Sequence, residues 1–78
     1  MNTVNWKDYI ASDPAILYGK PVIKNTRIPV DLILEKLAAG NTNADILSAY
    51  PKITEHAITA CLLFASESIK SEIIDKAA

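Results

Sequence analysis

Apolar and polar positions follow two rhythms along this chain, and the change comes at Pro29. Before it, apolar residues come in short runs, Tyr9–Ala11, Ile16–Tyr18, Val22-Ile23 and Ile28, parted by turn-forming residues. After it, they recur every three or four positions, the period of a helix packed on one face. This predicts a short N-terminal β element followed by three helices, a mainly α, tri-helical domain.

The stretch Gly19–Val30, GKPVIKNTRIPV, organises the first part. Asn enters left-handed backbone more readily than most residues, so Lys24-Asn25 reads as the tip of a tight turn between short extended segments. Pro21 and Pro29 bias the residues before them toward extended backbone. Asp13-Pro14 signals an earlier turn. Gly19 is expected to supply a backbone angle that other residues avoid. Residues 1–8 show no periodicity and are expected to be loose, with Trp6 available as a lid. The β-hairpin region is placed at 9–29 and the helices at 30–76, all in a single domain, 1–78.

The first helix is predicted from Val30 or Asp31 to Ala39, with Val30, Ile33, Leu34, Leu37 and Ala38 inward. Pro29 suits its entry, Asp31 suits the positive end of its dipole, and Gly40 suits its exit. The second runs from about Asn43 to Tyr50, with Ile46, Leu47 and Tyr50 inward. Thr42 is its N-cap, Asp45 completes a capping box, and Pro51 ends it. The third begins at Thr54, where Ile53 and Ile58 stand in the staple relation. It runs to about Asp75, roughly 30 Å at 1.5 Å per residue.

That third helix is apolar on more than one side. One stripe holds Ile58, Cys61, Leu62, Ala65 and Ile69; another holds Ala57, Ala60 and Phe64; Leu63 lies off both. A surface helix needs only one apolar stripe about 100° wide. The first two helices cover one side. A second copy, another protein, or the N-terminal segment covers the other. Beyond Ser66, Ile69, Ile73 and Ile74 are expected inward, with Glu67, Lys70, Glu72 and Lys76 outward.

Size strengthens the argument for a partner. A chain of 78 residues buries only about 60% of its unfolded surface, and domains this small lean on disulfides, metals or association. A single cysteine, Cys61, excludes an internal disulfide, and with one histidine, His56, it excludes a His/Cys zinc cluster. Half of the residues are hydrophobic, so self-association or a partner protein is the expected support. No apolar run is long enough to span a membrane, and MNTVNWKDYI lacks a signal pattern, which predicts a cytoplasmic protein.

Charge is uneven. Residues 1–30 carry four cations against two acids, and residues 31–78 four lysines against seven acids. Only the hairpin region is basic. No phosphate loop, paired-carboxylate site or nucleophile–base set is visible, so neither catalysis nor a cofactor is expected. Cys61 reads as a small buried hydrophobe and His56 as an exposed first-turn residue.

Helix, glycine turn, short helix, tight turn and longer helix is also a helix-turn-helix-like order. The leading face of the third helix, however, offers Thr54, Glu55, His56 and Thr59. None of these is suited to bidentate base contacts, and Glu55 repels phosphate. The better nucleic-acid or partner-binding candidates are Lys20, Lys24, Thr26 and Arg27. Arg27 has a competing structural use, binding Asp31 or Asp13 through its planar fork. Candidates for a dimer or partner interface are Ala60, Leu63, Phe64 and Ile69.

From about Ile10 to Ala65 the chain resembles the bacterial domain-of-unknown-function family 433. The resemblance rests on Asp13-Pro14, Gly19-Lys20-Pro21-Val22-Ile23, Thr26-Arg27-Ile28-Pro29-Val30, Ala38-Ala39-Gly40, Tyr50-Pro51 and Ile53-Thr54. Asn25 stands where the family usually has Gly. The resemblance implies a homeodomain-like or winged-helix-like fold, often dimeric, without catalytic residues. It also implies a VapB-type antitoxin role beside a PIN-like ribonuclease toxin. The expected function is thus a non-enzymatic, homodimeric antitoxin-like protein that binds such a toxin, with autoregulation through DNA as an extension. The alternatives are a DNA-binding regulator without a toxin and a plain dimerisation module.

Overall fold

The computed structural model describes residues 3–71. Two short strands, β1 (Ile10–Ala11) and β2 (Val22–Ile23), precede three helices, α1 (Val30–Ala38), α2 (Asn43–Ala49) and α3 (Glu55–Ser71). The strands pair antiparallel, Ile10 with Ile23 and Ala11 with Val22. The architecture is mainly helical with a small N-terminal β element, as the hydrophobic rhythm predicts.

Pairing at the β element is wider than a local hairpin. Val22 also bridges Pro29, and the Ile23 N–H donates to the Ile28 carbonyl at 3.0 Å. The predicted tight turn therefore exists, with Asn25 left-handed at φ 65°, but the β2 ladder partner comes from twelve residues earlier in the chain. The Val30 N–H, an orphan donor in the first turn of α1, reaches the Pro21 carbonyl at 3.0 Å. This bond stitches the β element to the helix that follows.

The helix boundaries within the described residues fall where local chemistry puts them. After α1, Gly40 takes φ 98°, its N–H donates to Leu37 O, and the Asn41 N–H donates to Lys36 O. These two bonds make a Schellman closure. At α2 the Thr42 hydroxyl accepts from the Asp45 N–H at 3.1 Å and the Asp45 carboxylate accepts from the Thr42 N–H at 2.9 Å, a full capping box. At α3 the Thr54 hydroxyl accepts from the Ala57 N–H, and the staple residues Ile53 and Ile58 are both buried. The expected end of this helix near Asp75, and the inward Ile73 and Ile74, lie outside the described residues.

The core gathers Ile10, Ile23, Val30, Ile33, Ile46, Ile53 and Ile58 around Ala57, Ala60 and Cys61. α3 is its axis and packs against β1, α1, α2 and the turn at Trp6–Asp8. That turn corrects the expectation of a loose N-terminus. The Asn5 side chain caps it by accepting from the Lys7 N–H. Trp6 lies edge-on against Phe64, with ring centroids 4.9 Å apart. Ala38, placed inward by periodicity, is exposed, because α1 is near its end there and no element lies opposite.

Candidate interaction surfaces

The basic segment owes its shape to short-range bonds. The Thr26 hydroxyl donates to the Ile23 carbonyl at 2.7 Å and accepts from the Ile28 N–H at 2.9 Å. The Thr26 N–H donates to Ile23 O as well. Thr26 is thus the brace of the turn, and the left-handed Asn25 lets the chain reverse within it. Lys24 and Arg27 flank the tip, both exposed.

The four candidate binding residues do not form one patch. Lys24, Thr26 and Arg27 line an open groove of about 790 Å³, together with Asp13, Ile16, Val22 and Ile28. Lys20 is elsewhere. Its ammonium donates to the Asp31 carboxylate at 2.8 Å, at the start of α1. That hydrogen bond, more than the Coulomb attraction alone, holds the Asp31 carboxyl below its ordinary value. Asp31, one of the two carboxylates considered for Arg27, is therefore taken by Lys20; Asp13 lines the groove with Arg27, but among the described residues Arg27 has no ion pair. Lys52, from the turn between α2 and α3, lines the same groove as Lys24 and Arg27. It was not among the candidate binding residues, because only the packing of α3 against the β element brings it there.

The candidate helix face also divides. Ala60 is fully buried inside its own chain and offers no surface to a partner. Phe64 is half-buried under Trp6, and Leu63 borders a shallow groove with Val4 and Trp6. The N-terminal segment thus covers part of the second apolar side. The first stripe is not wholly covered: Leu62 is 49% exposed and Ile69 72% exposed. The inward placement of Ile69 is thereby corrected, since no element of the described chain covers it, and its exposure is what an interface candidate requires. Between α1 and α3, Pro21, Val30, Leu34, Phe64, Ala65 and Ile69 form a largely apolar groove, with the Lys20–Asp31 pair on its rim.

Cys61 and His56 are as the sequence reading has them. Cys61 is buried, and desolvation pushes its thiol up to about 11, which removes the thiolate needed for reactivity. His56 is exposed at the start of α3, with its ring centroid 6.2 Å from that of Tyr9.

Comparison with known proteins bears on this geometry. The model of a family described as "Protein of unknown function (DUF433)" matches residues 10–65. The uncharacterized protein y4eO of Sinorhizobium fredii is 32% identical over 59 residues, taking in 76% of this chain and 27% of that protein. The crystal structure of a DUF433 member protein from Anabaena variabilis is 26% identical with a TM-score of 0.74, covering 78% of this chain and 60% of that one. The chain spans about a quarter of the length of the curated relative and less than two thirds of the solved one. No helix of the described residues is long and apolar enough to cross a membrane.

Proposed function

This chain belongs to the DUF433 family, and on that premise we propose that it is a non-enzymatic, antitoxin-like binding protein of the cytoplasm. It pairs with a second copy and holds a PIN-like ribonuclease. The observation that carries the reading is the outer side of α3, where Leu62 and Ile69 stand exposed beside the apolar groove of Leu34, Phe64 and Ala65. Continuous apolar surface on so small a domain marks a place for another protein. Burial of Cys61 supports the non-enzymatic part, since it takes the one thiol out of chemistry.

The test is co-expression with the product of the neighbouring gene. The expected result is a stable complex, relief of toxicity, and weakening of both by Ile69→Asp. Survival of toxicity with no complex formed overturns the antitoxin reading. Light scattering checks the pairing: a monomer at high concentration removes the homodimer. DNA-binding autoregulation ranks second. Its support is the convergence of Lys24, Arg27 and Lys52, and its test is a gel shift that weakens steeply with salt and is lost in Arg27→Ala.

A further inference from the structure

We infer that the groove between the 13–16 bend and the 24–28 turn docks a short acidic segment, carrying apolar side chains, of a partner protein. The inference rests on reading the chain as a binding module, but it concerns a different face from the outer side of α3.

The floor and the rim have opposite character. Ala11, Ile16, Val22 and Ile28 supply an apolar floor, while Lys24, Arg27 and Lys52 supply a cationic rim. The three cations come from both sides of one turn and from the turn before α3. Among the described residues none of the three has an ion pair, whereas nearby Lys20 is held by Asp31. Asp13 is the one carboxylate lining the groove, and one of its oxygens already accepts the Ala15 N–H at 2.9 Å. Like charges gathered without matching acids repel one another, and an arriving carboxylate relieves that repulsion.

The rim is also held in place. The Thr26 hydroxyl fixes the turn between Lys24 and Arg27. Lys52 lies beside buried Ile53, whose N–H donates to the Tyr50 carbonyl at 3.1 Å. Little backbone freedom is lost when a ligand arrives on such a frame. Lys24 and Lys52 also border a second, adjoining groove with Ile23, Ala57 and the Asp8 carboxylate.

The floor decides between two anionic occupants. A nucleic-acid backbone would lay phosphates over apolar side chains and meet the Asp13 carboxylate. A peptide alternating acidic and apolar residues places carboxylates on the rim and side chains on the floor. Its aliphatic groups gain from leaving water there.

The experiment titrates the isotope-labelled full chain with a short peptide alternating Glu and Leu. A Lys/Leu peptide of the same length and a short DNA duplex serve as comparisons. The expected result is amide shifts centred on Val22, Lys24, Thr26 and Ile28 with the Glu/Leu peptide and none with the Lys/Leu peptide. The double variant Arg27→Glu, Lys52→Glu should weaken binding by about tenfold or more, in keeping with two lost charge contacts. Its thermal midpoint should stay that of the parent, and Leu62→Asp should leave peptide binding intact. Shifts centred on α3, equal binding of the two peptides, or no shift at high peptide overturns the inference. Displacement by DNA at lower concentration makes the groove a nucleic-acid surface. Loss of self-association in the double variant makes a second copy the occupant; either result overturns it. Failure of the peptide with the nuclease complex intact removes this groove alone. Failure of the complex with peptide binding intact removes the nuclease reading alone.

Discussion

The two halves of α3 are built from similar residues and live in different surroundings. In the first half Ala57, Ile58, Ala60 and Cys61 are almost completely covered, while Leu62 at its end is 49% exposed and Ile69 in the second half 72%. α3 is clasped by β1, α1, α2 and the Trp6 turn, but past Phe64, where Trp6 makes its edge-on contact, Ile69 borders the groove against α1 without being covered. Hydrophobicity of a helix face states what the face would gain by being covered; the neighbours decide whether it is. The same sequence logic that builds a core in the first half leaves a docking surface in the second.

Truncating one isoleucine in each half tests that contrast most strongly. Ile58 is fully buried, so Ile58→Ala should destabilise the fold by about 2–5 kcal/mol, the usual loss for a buried aliphatic plus its cavity. Ile69→Ala should change the stability of the monomer by less than about 0.5 kcal/mol, as for other exposed sites. Urea denaturation at low protein concentration measures both. Equal losses would mean that the second half is covered in solution and would break the contrast.

Trp6 stands at the boundary. Its edge-on contact with Phe64 is the last clasp before α3 runs free. Trp6→Ala removes that aromatic pair and some of the burial beneath it, an expected loss of about 1–3 kcal/mol. The exposed region should then spread toward Phe64 and Leu63, which increased binding of a hydrophobic dye would register. A variant as stable as the parent would mean that the N-terminal turn is not a clasp.

Those boundaries also mark how far the sequence could be read. Helix starts and stops were legible because they depend on residues within one turn: Thr42 with Asp45, Thr54 with Ala57, Gly40 after Leu37. The left-handed Asn25 was legible for the same reason. Leu17 and Tyr18 were not. Both are left-handed, at φ 49° and 58°, and bulky residues rarely adopt that conformation. They follow the bend in which the Ile16 N–H donates to the Asp13 carbonyl, a geometry that apolar patterning does not encode. Lys52 was not grouped with Lys24 and Arg27 because its neighbours in the groove lie more than twenty residues away in the chain. Ile69 was misplaced inward because periodicity identifies a stripe without identifying anything opposite it. Ala60 was misplaced outward for the converse reason: two stripes were apparent, but not which one the β element and the Trp6 turn would cover.

Cys61 sharpens the contrast through protons. Burial raises its folded thiol to about 11 from an ordinary value of 9.0. The folded chain therefore holds the proton more tightly than the unfolded chain. Stability from this group is complete below pH 9.0 and falls as pH rises from there toward about 11. Unfolding measured across that interval should drop more steeply for the parent than for Cys61→Ala. Alkylation of the native thiol should be slow and limited by opening of the fold. Rapid labelling at neutral pH would show that the first half of α3 is less tightly clasped than its burial implies.

The smallest effect lies on the rim of the open half, at the Lys20–Asp31 pair. Both side chains are about half exposed, and water screens such pairs, so Lys20→Ala should cost no more than about 0.5 kcal/mol in the monomer. The pH dependence has the opposite sense to that of Cys61. Asp31 is held below its ordinary value of 3.8 in the folded chain, so its contribution is present above pH 3.8 and is lost as pH falls through the folded value. Association could amplify this small term. Asp31 and Lys20 border the groove that runs alongside Ile69. A partner seated there would exclude water from the pair and strengthen its electrostatics. Lys20→Ala would then weaken self-association more than it weakens the fold, because Asp31 would be left desolvated without its partner. Equal, small effects on monomer stability and on association would place the pair outside the contact and move the interface toward Leu62.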